Sequence, residues 1–359
     1  MKEIGSNFHL ESNERCIERN CSKYNDSTNL VYLDSGRSAI KLAIQNSFDT
    51  NKIAILPMFT CHAVIQPFIE YGYELRFYDI DINFNVNLDE FIKLVDEVAP
   101  SVVLIHSYFG FDTLTGVREY LKHLRKAGVC IIEDITHSYY MNEDNENVDF
   151  FVCSIRKWLG IPDGGFLRTT NSPIKNIPLT SNDLFVAKQV EAMTLKSKYL
   201  ASNEKELKLK YSELFTEAKK MLDIQREVYK ISDFSRNILQ KSDITSIKEQ
   251  RRSNYFFLLQ YISQYKEIHI PFDTLQENEV PLYFPLLINN RAEFRMFMTK
   301  NNVFLPIIWP ISDLVVFNSS SQCKNIYEKI ICIPCDQRYT NHDMLRIVQL
   351  INEFLKGAK

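Results

Sequence analysis

The run Ser101-Val102-Val103-Leu104-Ile105-His106 is apolar throughout between its flanking serine and histidine. A strand with one wet face alternates polar and apolar side chains, so a run apolar on both faces predicts a parallel strand buried from both sides. Val129 to Ile132 and Phe150 to Ser154 have the same character. Segments with the apolar period of a helix lie among these runs: Ala39 to Phe48, Leu88 to Val98, and Val117 to Ala127. Val31 to Leu33, Lys52 to Leu56 and Leu75 to Tyr78 add shorter strands. Thr60 to Tyr71 reads as a helix that Pro67 must bend or interrupt. Strands alternating with helices predict an α/β domain built on a large, mostly parallel sheet.

From about Asp183 to Tyr265 the chain turns helical and highly charged, as a connection between domains would. Pro281 to Ile288, Val303 to Ile308 and Lys329 to Ile333 then read as strands, Arg291 to Lys300 as a helix, and Asn341 to Leu355 as a terminal amphipathic helix. The expected division is an N-terminal arm (1–29), a large α/β domain with its helical connection (30–240) and a small C-terminal α+β domain (241–359).

An open α/β sheet binds its ligands just past the carboxyl ends of its strands. Several chemically capable residues fall there: Gly36-Arg37-Ser38, His106, Asp134, and Ser154 with Lys157. Lys157 follows an apolar strand and precedes Trp158, Leu159 and the turn Pro162-Asp163-Gly164-Gly165. Shielding from water favours the free base of an amine, the form that attacks an aldehyde. An apolar run ending in an acid, followed by Ser-x-x-Lys, is an arrangement suited to pyridoxal 5′-phosphate (PLP). The lysine forms a Schiff base, and the acid keeps the pyridinium nitrogen protonated so that the ring acts as an electron sink. Asp134 reads either as that acid or as the cap of a helix starting at Ile135. His137 reads either as a surface histidine or as a donor to the cofactor's phenolic oxygen. Gly36, Arg37 and Ser38 lie between a strand and a helix, where backbone N–H groups can cradle a phosphate. Ser154 is a further phosphate ligand on this reading. Arg156 either neutralises phosphate charge or is solvated. The Pro-Asp-Gly-Gly turn reads as a hairpin back into Phe166-Leu167 that can also position the lysine loop.

Net charge is −3, with 42 basic and 45 acidic side chains mixed along the chain, so no basic stripe points to nucleic acid. No apolar stretch is long enough for a bilayer, and Met1 to Leu10 lacks a secretory pattern. A cytoplasmic protein whose eight cysteines stay reduced is the expectation. Cys332-Ile333-Pro334-Cys335 is formally a C-x-x-C, but it has no second Cys/His pair nearby and follows Ile330-Ile331 like the end of a buried strand.

At these residues the chain resembles the DegT/DnrJ/StrS family of PLP-dependent aminotransferases of fold type I, as a divergent member. Leu33-Asp34-Ser35-Gly36-Arg37-Ser38-Ala39-Ile40 is similar to the family's phosphate loop, and Pro57-Met58-Phe59-Thr60 to its next motif. Ile132-Glu133-Asp134-Ile135-Thr136-His137 is similar to its Glu-Asp-Ala-Ala-His/Gln, and Lys157 falls at its Schiff-base lysine. Ile331 to Tyr339 resembles the strand before its last helix. The resemblance implies a large sheet domain of the seven-stranded type, a small C-terminal domain, Asp134 on the pyridine nitrogen and His137 on the phenolic oxygen. It also implies a homodimer, a small-molecule amino donor (glutamate by family habit) and a keto or aldehyde acceptor, a sugar or sugar-like metabolite among the candidates.

The chain departs from the family in places. Cys61 stands where an aromatic residue stacks on the cofactor ring, so that His62 or a residue elsewhere would have to stack. Val152 replaces a serine, leaving Ser154 to substitute for it, and the Gly-Tyr-Asn segment has no clear counterpart before Ile231-Ser232-Asp233. Val303 to Pro310, with Trp309, and residues near Arg338 fall where the family places its substrate side. The expected activity is transamination. The alternatives are another PLP reaction, such as elimination or racemisation, and a non-catalytic ligand-binding relative. A nucleotide-binding protein is disfavoured, because Gly36-Arg37-Ser38 matches neither the P-loop nor the dinucleotide fingerprint.

Overall fold

The computed structural model describes residues 3–10, 26–47, 51–141, 145–315, 317 and 321–357. Residues 11–25 of the expected arm lie outside them. In chain order the elements are β1 (Ile4–Gly5), β2 (Leu30–Leu33), α1 (Gly36–Asn46), β3 (Ile53–Pro57), α2 (His62–Glu70), β4 (Glu74–Tyr78), α3 (Leu88–Val98), β5 (Val102–Ile105) and α4 (Thr115–Lys126). They continue with β6 (Cys130–Asp134), β7 (Phe150–Cys153), β8 (Gly165–Thr169), α5 (Asp183–Ser202), α6 (Lys205–Ile224), α7 (Asp233–Lys241) and α8 (Ile244–Ile262). The C-terminal part holds β9 (Ile268–His269), β10 (Phe284–Ile288), α9 (Arg291–Lys300), β11 (Val303–Phe304), α10 (Cys323–Lys329), β12 (Ile330–Ile333) and α11 (Asn341–Gly357).

Seven strands form one sheet in the order β2-β8-β7-β6-β5-β3-β4. The run from β7 to β4 is parallel, and β8 lies antiparallel to both β7 and β2. Every residue of β5, β6 and β7 is buried, as the apolar runs require. A second, antiparallel sheet of three strands in the order β12-β10-β9 belongs to the C-terminal part, with α9 against β12 and α10 against β10. This is the fold-type-I arrangement of a large α/β sheet with a small C-terminal sheet.

Three local expectations need correction. Helix α1 begins at Gly36, before the periodic apolar residues, because the Ser35 side chain accepts from the Ser38 N–H and caps it. Of the two effects expected at Pro67, interruption does not occur in α2; the proline removes one N–H near the middle of a short helix whose other face is packed on the core. Only Val303–Phe304 of the expected Val303–Ile308 strand is a strand, and its partner is Ile4–Gly5, parallel, from the start of the chain. Pro306 lacks the N–H a longer ladder needs. Residues 3–10 are therefore not a loose start: buried Glu3 pairs with Lys196 and Lys208, and the Tyr339 hydroxyl accepts from the Gly5 N–H.

Arg251 on α8 ties the C-terminal part to the lysine loop. Fully buried, it donates to Gln337 Oε1 (2.9 Å) and to the carbonyls of Pro281 (3.2 Å), Leu282 (3.1 Å) and Trp158 (3.2 Å), with its guanidinium 4.7 Å from the Trp158 ring centre. Replacing Arg251 by alanine strands buried carbonyls and opens a cavity, and is expected to cost about 3 kcal/mol of stability. Arg251→Met, which keeps the packing, should cost less. Equilibrium denaturation checks both; an alanine variant as stable as wild type would contradict this account of the clamp.

Candidate active site

Asp134 is the last residue of β6 and is buried. Residues 135–140 turn rather than forming a helix, so Asp134 is no helix cap; one carboxylate oxygen accepts instead from the Thr136 N–H at 2.8 Å. On the next strand over, β7 ends at Cys153 and a single turn, Ile155–Lys157, carries the lysine. Trp158 locks that turn: it is fully buried, its indole N–H donates to the Thr136 carbonyl at 2.6 Å, and its own carbonyl also accepts from Gln337. Adjacent parallel strands thus bring acid and amine to one edge of the sheet.

Lys157 stands between two spaces. A small, narrow cavity is lined by Thr60, Cys61, Val64, His106, Ser107, Asp134, Thr136, His137, Lys157 and Trp309. A wider cleft of about 1180 Å³, open to solvent, is lined on its other side by Ser154, Arg156, Phe8, Gln189, Tyr283 and Arg338 among others. Arg338 is held by Asp336 at 2.7 and 2.8 Å. Gly36, at the N-terminus of α1, abuts Ser154: a Cβ on Gly36 would lie 2.9 Å from the Ser154 Cβ, so only glycine lets the helix end approach the lysine loop.

Electrostatics follow from burial. Desolvation raises the Asp134 carboxyl above the usual Asp range, opposed by the Thr136 hydrogen bond and the charge of Lys157. Burial, reinforced by Lys157, lowers His106 to about 3 and pushes His137 well below the ordinary histidine value. Both imidazoles are neutral at pH 7. His137 Nδ1 accepts from the Phe109 N–H at 3.2 Å, which places the ring proton on Nε2. That Nε2 is buried and has no partner among the described residues.

The structure does not gather every candidate. His62 is exposed, with Nδ1 3.0 Å from the Ser312 Oγ, and does not line the small cavity. The Arg37 side chain leaves the α1 terminus for α6, where it donates to the Leu222 carbonyl and to Asp223, so only its backbone faces the cradle. The Ser38 N–H is taken by the Ser35 hydroxyl, and the Ser38 hydroxyl lies 3.2 Å from it. Cys61 lines the cavity but offers a thiol. Cys332 and Cys335 are buried free thiols whose pKa values burial raises, Cys335 to about 12, which leaves little reactive thiolate. Among the described residues no cluster of His, Cys, Asp and Glu is arranged to hold a metal ion.

Other contributors lay outside sequence reach. Asp163 of the Pro-Asp-Gly-Gly turn is fully buried; it accepts from the Ser232 N–H (2.7 Å), the Ser232 hydroxyl (2.5 Å) and the Ser235 hydroxyl, binding the lysine loop to the start of α7. Its acidic character beside two glycines was visible in the sequence; its partners, some seventy residues away, were not.

A seven-stranded, mostly parallel mixed sheet with a small C-terminal antiparallel sheet defines the class by its architecture, which is fold type I. The model of the DegT/DnrJ/EryC1/StrS aminotransferase family matches residues 5–176 of the chain. Solved structures share the fold at low identity. The aminotransferase TlmJ from Streptoalloteichus hindustanus superposes with a TM-score of 0.66 at 14% identity over 92% of this chain and 87% of that one. The corresponding values for Helicobacter pylori PseC, an aminotransferase of pseudoaminic acid biosynthesis, are 0.67, 13%, 99% and 100%. For a sugar aminotransferase from Micromonospora echinospora they are 0.64, 14%, 90% and 87%. No curated protein sequence matches the chain. Among the described residues no helix is long and apolar enough to cross a membrane.

Proposed function

We propose that the protein is a PLP-dependent aminotransferase that takes an amino group from glutamate and delivers it to a keto or aldehyde carbonyl, on a sugar or sugar-like acceptor. The observation that carries this is the unpartnered, buried Nε2–H of His137 beside a buried carboxyl and a lysine amine. A buried donor without a partner is costly, and a bound acceptor relieves it. The phenolic oxygen of PLP is such an acceptor. Asp134 fits its pyridine nitrogen, because a protonated nitrogen would compensate a carboxylate that burial otherwise disfavours. The N–H groups of Gly36 and Arg37 with Ser154 fit its phosphate, and Arg156, whose Nε lacks a partner among the described residues, adds positive charge on that side.

When bound, PLP supplies an electron sink for the electrons freed at the substrate carbon. The chain's own side chains do the rest. Lys157 Nζ would hold the cofactor and, once free of it, would move a proton at the substrate carbon as general base. Asp134 holds the proton on the ring nitrogen. Neutral His137 orients the phenolic oxygen without adding charge. Residues 30–240 would hold the cofactor and 241–359 close over the substrate, in a homodimer as the family resemblance implies. A sugar-like acceptor is supported by relatives described as sugar aminotransferases.

The test is the absorption spectrum of the purified protein with PLP, followed by titration with L-glutamate. A visible band that glutamate bleaches, with release of 2-oxoglutarate, is the expected result. No visible band at all would refute the cofactor assignment.

A further inference from the structure

The small cavity has a wall that the large sheet does not supply. Thr60, Cys61, His106, Asp134 and Lys157 reach it from the strand ends, and among these five only His106 carries a ring. Cys61 carries a thiol, and His62 is turned to Ser312. His106 stands edge to face with Tyr108 (centroids 4.6 Å apart) and its Nε2 lies 3.1 Å from the Thr60 hydroxyl.

Trp309 supplies the missing wall, from the segment between β11 and α10. Its indole stacks on the His137 ring at 4.8 Å and 22°, and Lys157 Nζ lies 5.5 Å from the indole centre. Phe59 packs against it at 5.2 Å and His106 at 5.6 Å, and it is 8% exposed. An indole held on several sides is a rigid aromatic surface, and a conjugated ring meets such a surface by offset stacking more favourably than it meets an aliphatic one.

Resting on the cofactor reading above, we infer that Trp309 is the aromatic face against which the cofactor ring is held, so that the C-terminal part of the chain completes the cofactor site. The aromatic contact comes from the segment between β11 and α10 and not from the strand end at Cys61. Loading of the cofactor is thereby coupled to the placement of residues 305–315.

The experiment uses 4′-deoxypyridoxine 5′-phosphate, which keeps the ring and phosphate but has no aldehyde for Lys157 to capture. Its affinity, and separately that of inorganic phosphate, is measured by calorimetry for wild type, Trp309→Phe and Trp309→Leu. Trp309→Phe should bind the analogue within about threefold of wild type, and Trp309→Leu roughly tenfold more weakly. Inorganic phosphate, which reports only the α1 end, should be unaffected in both. Should the leucine variant fold poorly, Trp309→Met, with its adaptable side chain, takes its place. A leucine or methionine variant that binds the analogue as tightly as wild type overturns the inference and leaves Trp309 a packing residue. Wild type that fails to bind the analogue overturns the cofactor reading itself.

Discussion

Replacing Lys157 with alanine should abolish the visible band formed with PLP and slow amino transfer from glutamate by roughly 10⁴-fold. Among the described residues Lys157 is the one amine lining the small cavity. The neighbouring Arg156 cannot stand in for it, since a guanidinium does not lose its proton under these conditions. The variant should still fold, because the lysine turn is held by Trp158, Arg251 and Gln337 and not by the lysine amine. A normal melting curve with no band and no transfer is therefore the expected combination. Undiminished transfer in Lys157→Ala would remove the lysine from the chemistry.

Asp134→Asn should move stability and activity in opposite directions. Burial raises the Asp134 carboxyl above its unfolded value. Between those two values the folded chain retains a proton that the unfolded chain has released, so stability falls as pH rises across that window and stays reduced above it. Asparagine keeps the shape and the acceptor for the Thr136 N–H but carries no charge. The cofactor-free variant should melt about 2 °C higher than wild type at pH 7, with the difference vanishing below about pH 4, where the carboxyl is protonated in both states. With PLP bound, an amide cannot keep the ring nitrogen protonated, and the glutamate half-reaction should slow by roughly 10²–10³-fold. Calorimetric melting across pH and single-turnover kinetics measure the two effects. A purely structural Asp134 would lose stability on substitution and leave the rate constant alone.

The same contrast between local and distant causes explains how much of the molecule could be read in advance. Each buried strand announced itself by residues within a few positions of one another, and β5, β6 and β7 lie where those runs stand. Asp134 and Lys157 follow such runs directly, so their shared place at one sheet edge was legible. The interruption allowed for at Pro67 does not occur, because a proline's cost is judged locally, while the packing of α2 that outweighs it is tertiary. Val303 to Ile308 misled for the converse reason. Its strand character was real, but its partner among the described residues is the two-residue strand Ile4–Gly5, and Pro306 ended the ladder.

The sequence by itself determined the α/β alternation, the buried parallel strands and the chemical groups at their carboxyl ends, because these depend on side-chain periodicity and on short-range order along the chain. Only the tertiary structure decided which of those groups face one another. It turned Arg37 toward Asp223 and His62 toward Ser312, left His137 Nε2 without a partner among the described residues, and set Trp309 against it from 172 positions away. Contacts across such separations are selected by how whole elements pack, and no local pattern in the chain encodes them.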